Sequence, residues 1–184
     1  PSVSGRVGIR GNVMSKAFTK EDDDTAVIRL DDLPHSRHPN LVTASGLAAL
    51  NQRLEQCQSD LGALRSQTGN IDTRHAIAVA ERDIRYLQAR IGSAILVDPE
   101  TQVPGVVAFG AKVDFITDDD TRHTFRIVGE DEADPARGLI SSYSPLGIAL
   151  MGARTGSTVE WRRPAGSVDI EVLAIRFPRA TPAK

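Results

Sequence analysis

The run Leu47-Ala-Ala-Leu50-Asn-Gln-Arg-Leu54-Glu-Gln-Cys57-Gln-Ser-Asp-Leu61-Gly-Ala-Leu64 is answered downstream by Ile77-Ala-Val-Ala80-Glu-Arg-Asp-Ile84-Arg-Tyr-Leu87-Gln-Ala-Arg-Ile91. In both, apolar residues step by alternating threes and fours, the a/d pattern of a helix that buries one narrow seam. Thr43 or Ser45 can cap the first helix. Between the runs, Ser66-Gln67-Thr68-Gly69-Asn70 carries a Gly-Asn turn signal. Two such helices make either a long dimeric coil or an antiparallel hairpin. Pairing Leu64 with Ile77, Leu61 with Ala80, Cys57 with Ile84, Leu54 with Leu87, Leu50 with Ile91 and Leu47 with Ala94 favours the hairpin, because each pair is equidistant from a fold-back at Asn70/Ile71. A hairpin within one chain requires that register and a coil between chains does not. A monomer is therefore expected, and a self-associating scaffold is disfavoured. Arms of about 22 residues make a rod of roughly 33 Å. Cys57 lies on the seam and reads as a small buried hydrophobe.

Upstream, Ser15 to Asn40 is polar and punctuated by Glu21-Asp22-Asp23-Asp24, Asp31-Asp32, Pro34 and Pro39. It reads as an extended or partly disordered arm in which Ala26 to Leu30 can form one short strand. The acidic run reads as a solvated tail in preference to a magnesium site. Met14-Ser15-Lys16 reads as the natural start, with residues 1–13 a cloning remnant or upstream translation.

Downstream, Val106 to Phe109, Lys112 to Ile116, Thr124 to Val128, Val159 to Trp161 and Val168 to Phe177 read as strands. Asp118-Asp119-Asp120 and Pro164-Ala165-Gly166 are turns. Ser144 caps and Pro145 opens a short helix through Met151. The expected fold is α+β: an arm over 1–40, an antiparallel coiled-coil hairpin over 41–96, a twisted, largely antiparallel sheet with one helix over 97–178, and a tail over 179–184.

Composition narrows the function. Of 184 residues, 40% are hydrophobic, 25% charged and only 4% aromatic, so the core must be aliphatic. A net charge of −2 argues against broad, non-specific nucleic-acid binding. The single cysteine permits no internal disulfide and suits a reducing cytoplasm. No apolar run approaches the roughly 18 residues of a membrane span, and no signal-peptide apolar region is visible. His35, His38, His75 and His123 are scattered, with no nucleophile–base pair and no metal-ligand spacing. His75 with Arg74 and Arg82 reads as a solvated face. The expectation is a protein without metal or cofactor that is not an enzyme in its own right.

The downstream segment closely resembles the C-terminal domain of the GreA/GreB family of transcription elongation factors. The resemblance rests on Phe109-Gly110-Ala111, Phe125-Arg126-Ile127-Val128-Gly129-Glu130-Asp131-Glu132-Ala133-Asp134 and Gly138-Leu139-Ile140-Ser141. It continues through Ser144-Pro145-Leu146 with Ala149-Leu150, then Gly152, Gly156, Pro164-Ala165-Gly166 and Glu171-Val172-Leu173. Pro39 to Leu54 is similar to the start of the family's coiled coil. The resemblance implies an FKBP-like domain that docks on RNA polymerase, with a hairpin that threads the secondary channel. Nucleic acid is then met only within that complex, away from any membrane. It also implies docking residues around Asp134, Ser144, Pro145 and Leu146, the last two as an exposed pair. In the family a tip Asp and Glu help hold the second catalytic magnesium, so that polymerase cleaves backtracked RNA; a two-metal displacement needs such anionic oxygens.

The tip departs from the family pattern Gly-Asp-x-x-Glu-Asn. Here Gly69-Asn70-Ile71-Asp72-Thr73-Arg74 replaces both acids, by Asn70 and Thr73. Asp72 is the remaining tip carboxylate and reads first as a cap on the second helix. The arms are also about one heptad shorter than the family's, roughly 10 Å. Polymerase binding is thereby favoured over cleavage stimulation, and a Rnk-like polymerase-binding regulator is the alternative. A peptidyl-prolyl isomerase would need clustered aromatics that this composition lacks.

Overall fold

The computed structural model describes residues 28–67 and 70–178. Expectations for the acidic run, the proposed start and the C-terminal tail lie outside the described residues. Helices α1 (Ala44–Arg65) and α2 (Ile71–Gly92) are 22 residues each and fold back on one another. On α1 the seam follows the heptad reading. Leu47, Leu50, Leu54, Cys57, Leu61 and Leu64 are buried or half-buried, while every other residue from Ala48 to Arg65 is exposed. Cys57 is half-buried rather than enclosed. Val42, Leu50 and Leu87 form the centre of the hairpin base, with Leu47, Leu54, Tyr86, Ile91 and Ala94 packed around them. Thr43, not Ser45, caps α1: its hydroxyl accepts from the Gly46 amide at 2.9 Å.

Two short parallel strands, β1 (Leu41–Val42) and β2 (Ile95–Leu96), close the base of the hairpin, pairing Leu41 with Ile95 and Val42 with Leu96. Beyond them lies a five-stranded sheet of β3 (Lys112–Thr117), β4 (Arg122–Val128), β5 (Leu139–Ser141), β6 (Thr158–Arg163) and β7 (Gly166–Arg176), ordered β5-β4-β3-β7-β6. All neighbours are antiparallel except β4 and β5. Alternation places Val113 and Phe115 of β3 and Val168, Ile170 and Val172 of β7 in one core, against Leu146 and Leu150 of helix α3 (Pro145–Leu150). At the β3–β4 turn, Asp119 accepts from the Thr117 hydroxyl at 2.5 Å and the Thr121 amide at 3.1 Å. Those bonds, the Thr117 hydroxyl first, hold its carboxyl below the usual carboxylate range.

Two expectations fail. Val106 to Phe109 is no strand: Val106 makes an isolated bridge to Arg154, and Gly105 and Gly110 turn the chain on either side with positive φ. Of the short strand expected over Ala26 to Leu30, residues 26 and 27 lie outside the described residues; residues 28–30 are not in a strand, and the Leu30 carbonyl accepts from Arg85 of α2.

Leu87 is 1% exposed at the centre of the hairpin base. Leu87→Ala is expected to lower unfolding stability by about 3 kcal/mol, measured by urea titration. The exposed neighbour Gln88→Ala should change it by less than about 0.5 kcal/mol.

Candidate functional site

A helical rod is useful only if its direction is fixed. The sequence supplies that by an acidic turn, Glu130–Glu132, at the end of β4. Arg90, near the end of α2, donates Nε to Asp131 Oδ2 at 2.6 Å and an Nη to Asn40 Oδ1 at 2.6 Å. The two charged side chains are only 5% and 15% exposed. Tyr86 donates its hydroxyl to the other Asp131 oxygen at 2.9 Å, and burial, then Asp131, pushes the Tyr86 phenol up. Glu132 takes the start of α1: Thr43 and Ser45 hydroxyls donate to its two oxygens at 2.5 and 2.9 Å. A carboxylate at a helix N-terminus also meets the positive end of the helix dipole. Gly46 and Gly129 permit this approach, since a Cβ there would stand 2.5 Å from Glu132 Oε2 and from the Leu41 carbonyl respectively.

The far end of the rod is the tip. Asn70 caps α2, its Oδ1 accepting from the Thr73 amide at 2.8 Å. That corrects the expectation that Asp72 is the cap. Asp72 lies in the first turn, exposed, and its carboxylate makes no hydrogen bond or ion pair among the described residues. Ile71 beside it is 64% exposed. Thr73 is half-buried.

On the sheet domain, the structure gathers the expected docking residues along one short rim. Asp134 exchanges backbone hydrogen bonds with Leu139 at 2.9 and 3.0 Å, while the Ser144 amide donates to Ser141 at the other end of β5. These anchor points are two residues apart, about 7 Å along the strand. The Ser144 hydroxyl accepts from the Gly147 amide at 3.0 Å, so Ser144 caps α3 as expected. Pro145 is exposed, but Leu146 is 5% exposed and belongs to the core. The expected Pro-Leu contact pair is therefore corrected. Ile148, 64% exposed, and Met151, 40% exposed, continue outward from Pro145. The three-residue spacing of Pro145, Ile148 and Met151 on a helix was the available signal. Among the described residues, no group of three or more His, Cys, Asp or Glu is placed to hold a metal ion.

A family profile described as "Transcription elongation factor, GreA/GreB, C-term" matches residues 101–177. The GreA transcription elongation factor of Desulfovibrio desulfuricans is 32% identical over 150 residues, covering 74% of this chain and 93% of that protein. The GreB factor of Neisseria meningitidis serogroup B is 37% identical over 115 residues, covering 61% and 71% respectively. Among solved structures, the GreA factor homolog Gfh1 of Thermus thermophilus aligns at 22% identity over 76% of this chain and 99% of its own, with a TM-score of 0.37. The GreA/GreB factor of Nitrosomonas europaea aligns at 22% identity over 74% and 98%, with a TM-score of 0.38. The expectation of a chain with no enzymatic character is corrected by the relatives. They are named GreA and GreB, and such factors stimulate RNA cleavage by RNA polymerase, a hydrolytic activity.

Removing Asp131 leaves the Arg90 cation buried without its counter-charge. Asp131→Ala should cost about 3–5 kcal/mol and raise amide exchange in β1, β2 and the last turn of α2. Asp60→Ala, on the exposed side of α1, should cost under about 0.5 kcal/mol.

Proposed function

Because this chain belongs to the GreA/GreB family of transcription elongation factors, a factor that acts with RNA polymerase, we propose that it docks by the α3–β5 rim and extends its hairpin through the secondary channel. The observation that carries this reading is the rim itself. Pro145, Ile148 and Met151 present apolar surface beside Asp134, whose carboxylate makes no hydrogen bond or ion pair among the described residues. Exposed apolar side chains with a free charge alongside are the composition of a specific protein contact. Among the described residues no helix is long and apolar enough to cross a membrane, and we assign the protein to the cytoplasm as a monomer.

At the tip, Asp72 is the group offered for cleavage of backtracked RNA. One carboxylate attracts a divalent cation less strongly than two, and the Asn70 oxygen is already occupied by the cap. Cleavage stimulation is accordingly weak and depends on Asp72.

Asp134→Arg and Pro145→Asp should each weaken binding to core polymerase at least tenfold, about 1.4 kcal/mol, with the thermal midpoint nearly unchanged. Leu146→Asp should instead unfold the domain. On stalled, backtracked complexes at limiting magnesium, Asp72→Asn should abolish the slow cleavage. The double change Asn70→Asp, Thr73→Glu should raise it at least about tenfold, since Asp caps as well as Asn. Wild-type affinity in both rim variants, or cleavage indifferent to Asp72, would refute the assignment; a chain that binds polymerase but stays inert even in the double variant would favour the Rnk-like regulator.

A further inference from the structure

The outer face of the sheet carries one row that breaks the rules of cross-strand pairing. Because Val113 and Phe115 of β3 point into the core, Lys112 and Asp114 stand on the opposite face. Lys112 lies directly opposite Arg126 of β4 on one side and Arg176 of β7 on the other. Arg126 is in turn opposite Leu139 of β5, and Leu139 bridges to Asp134. Across the strands the row therefore runs Asp134, Leu139, Arg126, Lys112, Arg176, at about 4.8 Å per step.

Like charges directly opposite one another destabilise a sheet, and two such pairs share Lys112. The one acid beside them does not balance the row. Asp114 accepts from Arg176 through Oδ2 at 2.5 Å and from the Thr124 hydroxyl through Oδ1 at 2.7 Å, so both of its oxygens are engaged. Lys112 and Arg126 make no ion pair among the described residues. The Arg126 Nε is buried and has no hydrogen-bond partner there, a donor left unmade at a cost in free energy. The Arg176 side chain is 58% exposed, and Lys112 and Thr124 are exposed as well, so the row is open to solvent. The remaining acids of this face, Glu160, Asp169 and Glu171, stand level with Ile116 or beyond it, about 13 Å or more along the strands.

We propose that this row binds an acidic, extended polypeptide segment, with the carboxylates on Lys112 and Arg126 and the direction set by Asp134, which repels acids at the rim end. From Arg126 to Arg176 is two strand spacings, about 10 Å. Three extended residues have that length, so two or three carboxylates close in sequence meet the cations. Guanidinium planes take carboxylates as bidentate forks. Nucleic acid suits this face less well. The neighbours of the row along the strands are Asp114, Thr124, Ala174 and Val128, so no aromatic ring stands beside it to stack a base. Three cations with an embedded carboxylate are also a short track for a phosphate backbone. Binding of such a segment is a property of the isolated chain and does not rest on polymerase docking by the rim.

The test is fluorescence anisotropy of a labelled decaglutamate peptide with the full chain at about 0.1 M salt, where charges more than about 10 Å apart are largely screened. Lys112→Gln with Arg126→Gln should weaken binding at least about tenfold. The same variant should unfold at a thermal midpoint equal to or above that of the wild type, since both like-charged pairs are gone. Asp114→Asn, which removes the embedded negative charge, should tighten binding. Arg65→Gln with Arg162→Gln makes an equal charge change on the hairpin and on β6, and should leave affinity nearly unchanged. Absence of peptide binding, an equal loss in the control and row variants, or a row variant less stable than the wild type would each overturn the proposal. So would decauridylate binding through Lys112 and Arg126 more tightly than the peptide, which would make the row a nucleic-acid contact.

Discussion

The buried ion pair between Arg90 and Asp131 decides what the hairpin is for. A rod of roughly 33 Å magnifies every angular error at its base, and a 10° tilt moves the tip by about 6 Å. Apolar packing alone resists separation but is not directional. A guanidinium whose Nε and Nη are held by different partners, Asp131 and Asn40, fixes an angle as well as a distance. The pair is stable because its polar atoms are satisfied: Tyr86 takes the second Asp131 oxygen, and Asn40 donates in return to the Arg90 carbonyl. Remove any one and the remainder is a buried charge with too few partners.

The acidic turn that supplies Asp131 is itself held by the sheet. It follows directly from Ile127 and Val128, both fully buried in β4, and begins at Gly129, packed against the Leu41 carbonyl. Each of its three acids then has a separate task. Glu130 receives the Ser36 hydroxyl of the arm, Asp131 receives α2, and Glu132 receives the start of α1. The direction of the rod is thus set by the same strand that anchors the α3–β5 rim through its pairing with β5. Tip and rim are two ends of one continuous chain of contacts.

How far this was legible in the sequence follows from how local each cause is. The α1 seam could be read because α1 has one covered face, so the heptad alone sets its burial. α2 could be read only in part: Arg90 is more buried than most of its seam positions because Asn40 of the arm and Asp131 of the sheet domain also hold it. Strands β3, β4, β6 and β7 have apolar inner positions at period two, whereas Val106 to Phe109 has strand composition without a neighbouring strand to pair with. Leu146 was placed on the surface by its resemblance-derived partner Pro145, although adjacent helical residues point about 100° apart. The acids of Glu130-Asp131-Glu132 are indistinguishable by type from a solvated turn. Only the long-range meeting with Arg90, Thr43 and Ser45 separates them.

The tip illustrates why one substitution is not simply a loss. A residue between a tight turn and a helix must satisfy the free amides of the first turn. Asn and Asp do so equally well through one side-chain oxygen. Asn70 therefore preserves the geometry on which the fold-back depends while deleting a charge from it. The remaining carboxylate, Asp72, is two positions further and so about 200° around the helix from the residue it would replace. It is exposed, and it sits where the helix dipole favours a negative charge. The architecture of the hairpin and the chemistry of its end are consequently separable: the first is fixed by a capping oxygen of either residue type, the second by which side of the first turn carries the charge.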